Sequence, residues 1–218
     1  MKHNNAVESE LKYGLSQLEY TRLLRTHRQR GRKIQKHTNY YFDGDRLSLH
    51  RRRIGLRIRL ETGSQAVVTL KHPKAMGVTN ELISKPLPFL AVRMEFESKI
   101  SRRIARQVIV GKRSLLSVEC LAIEELKRIY GARKLPRIHA LGSMETRRVV
   151  LPSSKSFRLE LDQSRLFGET FYELEVETHR PAAADRWVRN LFSRYKVRYH
   201  PLTQSKLSRF IKEWRKRR

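Results

Sequence analysis

The spacing of apolar and polar side chains predicts a protein built mainly from short β-strands. Between residues 6 and 13, apolar or small side chains alternate with charged ones, which is the period of a strand with one charged face. Later segments are rich in β-branched residues and are separated by turn residues at close spacing, which is typical of a meander. These predicted strands cover residues 39–42, 47–49, 55–61, 65–71, 91–99, 142–152, 155–162 and 170–178.

Other segments place their apolar residues at helical spacing and predict helices on the outside of the sheet. They cover residues 15–28, 101–106, 115–130, 182–195 and 203–217, and Gly131 ends the third of them. Residues 72–90 contain three prolines and predict an irregular excursion. We predict a single domain over residues 1–218, with a basic helix at 203–218.

The charge balance predicts attraction to polyanions without saying which one. The 218 residues include 48 Lys and Arg against 21 Asp and Glu, a formal net charge of +27. The single Cys120 lies in an apolar segment, so we expect a buried thiol and no intrachain disulfide. There is no apolar run of about 18 residues and no signal-peptide core near Met1, so we expect a cytoplasmic protein with no membrane partner.

The scarce acidic residues recur at i, i+2 within predicted strands. The sets are Glu8 with Glu10, Glu95 with Glu97, and Glu173 with Glu175 and Glu177. This spacing places each set on one face of its strand, where carboxylates repel one another unless cations compensate them. Carboxylate oxygens are hard ligands, so the pattern favours Mg²⁺ or Mn²⁺.

Basic residues share the same strand faces. Those at matching positions are Lys12, Arg57, Arg59, Lys71 and Arg93. A closed barrel of about eight strands has an interior that holds side chains or one small ligand. An interior lined by carboxylates and by cationic side chains predicts a ligand that carries both positive and negative charge, such as a metal-bound polyphosphate.

Seven elements in one order resemble the CYTH domain, or triphosphate tunnel metalloenzyme, superfamily. They are Glu8-Ser9-Glu10-Leu11-Lys12, Tyr40-Tyr41-Phe42-Asp43, Leu56-Arg57-Ile58-Arg59, Thr69-Leu70-Lys71, Arg93-Met94-Glu95-Phe96-Glu97, Leu161-Asp162 with Tyr172-Glu173-Leu174-Glu175-Val176-Glu177, and Ser205-Lys206. The resemblance implies an α+β fold with a closed antiparallel eight-stranded β-barrel and helices packed outside. The chain departs from the pattern at Gly44, where the family has Thr, and at Arg158, where relatives often carry an acid.

The resemblance also implies roles for individual residues. The implied metal ligands are Glu8, Glu10, Asp162, Glu175 and Glu177, with Glu95, Glu97 and Glu173 as possible additions. The implied phosphate-binding residues are Lys12, Arg57, Arg59, Lys71, Arg93 and Lys206, joined by Arg147 or Arg148, of which we favour Arg147. Glu8, Glu10 and Lys12 are the implied catalytic residues.

The predicted activity is metal-dependent hydrolysis of a triphosphate, with inorganic triphosphate as the first candidate and thiamine triphosphate as the second. A class IV adenylate cyclase and a non-catalytic module for polyphosphate or a nucleic-acid 5′-triphosphate stay open, with polyphosphate or another polyanion held on the basic exterior. A plain RNA- or DNA-binding protein is suggested by charge alone. No HExxH, Walker, GxGxxG or GxSxG element is present, which disfavours zinc hydrolases, P-loop hydrolases and serine hydrolases.

Overall fold

Eight antiparallel strands form a closed barrel in a computed structural model, which describes residues 3–26, 33–73, 87–131, 134–151 and 157–217. The strands are β1 His3–Leu15, β2 Lys33–Gly44, β3 Gly55–Glu61, β4 Gln65–Pro73, β5 Ala91–Ser101, β6 Ile138–Leu151, β7 Phe157–Leu166 and β8 Glu169–Thr178. Around the barrel their order is β1-β5-β4-β3-β2-β6-β7-β8. The predicted fold class is therefore confirmed.

Six helices accompany the barrel within the described ranges. They are α1 Gln17–Thr26, α2 Ser48–Arg51, α3 Arg102–Ile109, α4 Leu121–Tyr130, α5 Pro181–Arg194 and α6 Lys206–Arg215. None of the helices in the part of the chain that the structure describes is long and apolar enough to span a bilayer. Residues 27–28, most of the predicted excursion at 72–90, and residues 152–156 lie outside the described ranges.

Two local predictions are wrong. Residues 47–49 form helical structure instead of a strand, because the Asp43 carboxylate accepts backbone N–H bonds from Gly44, Leu49 and His50 at 2.7 to 3.0 Å. The predicted helix at 115–130 is divided into a 3₁₀ turn, Leu115–Ser117, and α4. Cys120 directly precedes α4 and is buried, as predicted.

Strand alternation assigns apolar side chains to the outside of the barrel, where the helices cover them. On β3 and β4, Leu56, Ile58 and Val68 pack in one cluster with residues of α3 and α4. On the other side, Leu174 and Val176 of β8 belong to a second cluster with residues of β1, β7 and α5. Each such side chain contributes about 1.5–3 kcal/mol through burial, so this pattern fixes the strand register and leaves the charged positions inside.

Helix α6 packs against one end of the barrel. Its Phe210 and Ile211 are buried with Met144 and other apolar residues from the ends of β2, β6 and β7. Gly142 has a φ of 149°, which residues with a side chain rarely adopt, and a Cβ there would lie 3.2 Å from the Phe210 ring, so the position favours glycine. The packing places the first residue of α6, Lys206, inside the barrel, where it is 9% exposed.

The segment that precedes α6 is fastened to β1 through a buried carboxylate. Asp185 Oδ1 accepts hydrogen bonds from Tyr13 Oη at 2.9 Å and from Tyr199 Oη at 2.6 Å. We expect Tyr13→Phe to lower the free energy of unfolding by about 1–2 kcal/mol, because Asp185 loses one buried donor. Urea denaturation measures this loss, and an Asp185→Ala background, which has no side-chain acceptor, should reduce it; an equal loss in both backgrounds would contradict the assignment.

Candidate active site in the barrel channel

The inner positions of the strands line a channel with a volume of about 650 Å³. Twelve of the residues predicted to form the site line this channel: Glu8, Glu10, Lys12, Arg57, Arg59, Lys71, Arg93, Glu95, Glu97, Glu175, Glu177 and Lys206. Asp162 and Glu173 are buried at its wall and contact Lys206. Their roles as ligands stay predictions, but the structure brings these fourteen residues together.

Charge is divided between opposite sides of the channel. The contiguous strands β7, β8 and β1 supply most of the carboxylates, whereas β3 and β4, across the barrel, supply Arg57, Arg59 and Lys71. Strand β5 carries both signs, with Arg93 preceding Glu95. Successive side chains of a strand point to opposite faces of the sheet. One register therefore turns all the charged residues of a set toward the channel.

Glu8 and Glu10 differ in how well cations compensate them. Lys71 Nζ donates to both Glu8 oxygens, at 2.7 and 2.5 Å. Burial opposes ionisation of Glu8, but Lys71 outweighs it and the pKa of Glu8 falls below its ordinary value. Burial and the nearby Glu175 raise the pKa of Glu10 to about 8, although Lys12 lies 3.1 Å away. Cations therefore offset the effect of burial at Glu8 but not at Glu10.

Glu175 and Asp162 form a tightly paired cluster with two cations. Arg148 binds both Asp162 oxygens, with Nε–Oδ1 at 2.8 Å and Nη2–Oδ2 at 2.6 Å, and Arg148 Nη2 also lies 2.5 Å from Glu175 Oε2. Lys206 Nζ donates to Asp162 Oδ2 and Glu175 Oε1, both at 2.6 Å. Burial opposes ionisation of Glu175, but Lys12, which donates to its Oε1 at 2.8 Å, acts together with Lys206 and Arg148 and holds the pKa of Glu175 well below its usual range.

Arg148, and not the favoured Arg147, is the inward-facing arginine of β6. Arg147 Nη1 donates to the Tyr20 hydroxyl of α1 at 3.1 Å, on the helix-covered side. Arg147 has the same parity as Val149 and Leu151, which are buried in the outer cluster. The preference for Arg147 is therefore wrong, and it is the burial of Val149 and Leu151 in the outer cluster that distinguishes the two arginines.

Glu160 is a buried channel residue that the sequence analysis missed. It is 0% exposed, contacts Arg148, and lies 2.8 Å from Arg158 Nη2. Its position two residues before Asp162 is the same i, i+2 signal that identified the other acids. Arg158, noted as a departure from the family pattern, thus neutralises part of this added charge.

His37 and Asn39 of β2 also line the channel, and neither was predicted. Burial, together with Arg59 and Arg148, lowers the pKa of His37 to about 2, so its ring is neutral at physiological pH. Arg59 Nε donates to Asn39 Oδ1 at 3.2 Å. Burial and the neighbouring Arg57 lower the pKa of Arg59 to about 10.

The remaining acids of the channel have weaker partners. Glu95 Oε1 lies 3.2 Å from Lys71 Nζ and 3.7 Å from Arg57 Nη2. Burial and Glu160 raise the pKa of Glu177 to about 7, and Arg158 offsets this only in part, at 3.8 Å. Negative charge is therefore incompletely compensated at Glu177 as well as at Glu10.

The carboxylates fit a hard divalent cation by chemistry. Glu10 and Glu177 are cross-strand partners on β1 and β8 and both line the channel, so their hard carboxylate oxygens lie on adjoining strands. Within the described ranges, no three Asp, Glu, His or Cys side chains form a cluster arranged to hold a metal ion. The donor set fits Mg²⁺ or Mn²⁺, and the described side chains pair with Lys and Arg in place of a metal.

Solved structures with the same architecture include two that cover nearly all of the chain. A Hippeastrum protein, described as a candidate adenylyl cyclase with a dominant triphosphatase activity, is 23% identical over 94% of this chain and 96% of its own, with a TM-score of 0.80. A candidate adenylate cyclase from Bacillus halodurans is 22% identical over 94% of this chain and 98% of its own, with a TM-score of 0.73. These likenesses show the fold, and a comparison with curated proteins gives no match.

The family model of the CYTH domain matches residues 6–211. This range contains all eight predicted acidic site residues, Arg148 and Lys206. The chain therefore belongs to the CYTH domain family.

Proposed function

We propose that the channel is the active site of a divalent-metal-dependent triphosphatase. The observation that carries the proposal is the division of charge into two poles across the channel: β7, β8 and β1 supply most of its carboxylates, whereas β3 and β4 supply Arg57, Arg59 and Lys71. A metal cation suits the first pole and a chain of phosphates suits the second. One guest, a metal-bound triphosphate, satisfies both.

The residues proposed to hold the metal are Glu8, Glu10, Asp162, Glu175 and Glu177. A divalent cation held there would supply Lewis-acid stabilisation of the charge on the phosphate oxygens. Glu10 and Glu177 have the most direct support, since Asp162 and Glu175 already accept hydrogen bonds from Arg148 and Lys206. Asp162 and Glu175 orient the side chains of Arg148 and Lys206 and keep both of them charged.

The proposed reaction is attack of water on a terminal phosphorus, with cleavage of the phosphoanhydride P–O bond and release of phosphate. Arg57, Arg59 and Lys71 bind the oxygens on the cationic side, and Arg148 and Lys206 extend this binding along the wall. Charges fixed in position before the reaction lower the barrier, because no side chain must reorganise as charge moves to the leaving oxygen. The forked guanidinium groups bind phosphate oxygens in pairs.

Phosphate release is the direct test of this function. We expect the protein with Mg²⁺ or Mn²⁺ to release phosphate from inorganic triphosphate, and EDTA to reduce the rate to background. Thiamine triphosphate, ATP and pyrophosphate, assayed in parallel, rank the substrates. Cyclic AMP and pyrophosphate from ATP would instead identify a cyclase, and tight triphosphate binding without turnover would leave a binding module.

A further inference from the structure

The surplus positive charge of the chain lies outside the channel. Nine of the 21 acidic residues and eight of the 48 basic residues lie in or against the channel, so its lining is close to neutral. The net charge of +27 therefore belongs to the rest of the chain. Substrate binding in the channel does not account for this charge, and the exterior needs its own explanation.

One exposed group of cations surrounds α2 and the end of α6, next to the channel. We call it the α2–α6 basic surface, and its residues are Arg46, Arg51, Arg52, Arg53, Lys212 and Arg215, all exposed. Leu47 packs in one cluster with Phe210 and Ile211, which joins the two elements. Burial lowers the pKa of His50 against the effect of Asp43, and Arg215 and the channel residue Arg93 lower it further. The field at His50 of α2 thus includes Arg215 of α6, in agreement with the packing that joins the two elements.

The backbone that presents these arginines is held in an uncommon conformation. Arg46, Leu47 and Arg53 have φ angles of 55°, 56° and 60°, in the left-handed region that non-glycine residues rarely occupy. The three hydrogen bonds to Asp43 fix the turn. The Arg52 guanidinium stacks 4.1 Å from the ring centre of Tyr130. A fixed turn presents its cations at lower entropic cost than a flexible tail would.

The chemistry of the surface favours a phosphate backbone over a membrane. The chain has 32 Arg and 16 Lys, and all four cations around α2 are Arg, whose fork matches phosphate oxygens. A membrane-binding helix needs apolar side chains beside its charges. Here the apolar residues Phe210 and Ile211 of α6 are 0% and 1% exposed because they close the barrel.

Acidic residues leave most of this surface uncompensated. Glu213 of α6 is already paired with Lys216 at 2.7 Å and with Arg217 at 3.2 Å. Asp45 is exposed beside Arg46 and offsets one charge. The other cations of the surface therefore add to a common positive field.

We propose that the α2–α6 basic surface binds the phosphate backbone of nucleic acid without regard to base sequence. This binding is separate from the channel and does not depend on the proposed triphosphatase activity. The phosphate backbone contacts only residues outside the channel, so binding does not require a 5′-triphosphate on the nucleic acid.

The test measures binding of a fluorescent RNA oligonucleotide with a 5′-hydroxyl end, by anisotropy, at several salt concentrations. The variant Arg51→Gln, Arg53→Gln, Arg215→Gln is compared with a control of equal charge loss, Arg180→Gln, Arg186→Gln, Arg194→Gln, on or next to α5. We expect the first variant to bind about tenfold or more weakly near 0.1 M salt, with a salt slope lower by about two to three. We expect the control to lose about twofold or less, and both variants to keep the wild-type melting temperature and phosphate release.

Three results would overturn the proposal. Equal loss in both triple variants would show that binding follows net charge and not this surface. Complete competition by inorganic triphosphate would place the RNA in the channel. Anionic vesicles that bind more tightly than RNA through the same three arginines would make the partner a membrane surface.

Discussion

Replacing Arg148 with Lys should lower kcat/KM for triphosphate hydrolysis by about 10²- to 10³-fold, which is typical for loss of one fixed charge donor. Lysine keeps the charge but cannot bind both Asp162 oxygens while also reaching Glu175, as Arg148 does. The more drastic Arg148→Ala removes the cation that three buried acids share and should lower the free energy of unfolding by about 3–5 kcal/mol. Steady-state kinetics and urea denaturation measure the two effects.

Arg147 provides the matched control for this prediction. The change Arg147→Lys removes the same side chain one position earlier, on the outer face beside Tyr20. We expect kcat/KM to stay within about twofold of the wild type, since a surface change away from the site has small effects. If Arg147→Lys lost more activity than Arg148→Lys, the assignment of the inward face of β6 would be wrong.

The alternation of charged and apolar residues along the strands was the main signal from which the strands and their inward faces could be predicted. On β1 and β8, charged and apolar residues alternate without interruption, so Glu8, Glu10, Glu175 and Glu177 could be assigned to one face before any contact was known. Most strands of the barrel follow from the same signal, whereas the closed eight-stranded architecture was implied by the family resemblance, and the structure confirms it. The sequence did not show which of Arg147 and Arg148 faces the channel, because the two arginines are adjacent. The burial of Val149 and Leu151, which lie on the same face of β6 as Arg147, places Arg147 outside the barrel.

What the sequence could not provide are relations between distant segments. The pairing of Lys206 with Asp162 and Glu175 joins residues 44 and 31 positions apart, and it depends on α6 packing against the end of the barrel. The turn at 45–51 depends on Asp43, whose side chain competes with strand formation by binding three backbone N–H groups. His37 gave no signal either, because its environment of Arg59 and Arg148 exists only once β2, β3 and β6 are assembled.

The second large effect is expected at Glu10, where one substitution should harm catalysis and stabilise the metal-free protein. We expect Glu10→Gln to lower kcat by about 10³-fold or more, because the metal loses a charged ligand and the phosphates lose the cation it holds. The stability effect has the opposite sign. In the unfolded chain the carboxyl has its ordinary pKa of 4.5, but in the folded protein burial and Glu175 raise it to about 8.

A folded-state pKa above the unfolded value means that the folded protein binds the proton more tightly. Glu10 therefore makes no unfavourable contribution below about pH 4.5, and wild-type stability falls as the pH rises from there through about 8. Glutamine cannot ionise, so at pH 8.5 and in EDTA the variant should be more stable than the wild type, by about 5 kcal/mol at most. At pH 5 the two proteins should differ much less, as measured by urea denaturation.

Metal addition distinguishes this account from a general effect of packing. At pH 8.5, Mg²⁺ or Mn²⁺ should stabilise the wild type by binding only its folded state, and should stabilise Glu10→Gln less. The exposed Glu145 on the outer face of β6 supplies the control, and Glu145→Gln should leave the pH dependence, the metal effect and kcat unchanged. If the stability of Glu10→Gln matched the wild type at both pH values and in both metal conditions, Glu10 would not be the uncompensated carboxylate of the channel. The metal pole would then have to be sought at Glu177, whose pKa is raised to about 7 by burial and Glu160.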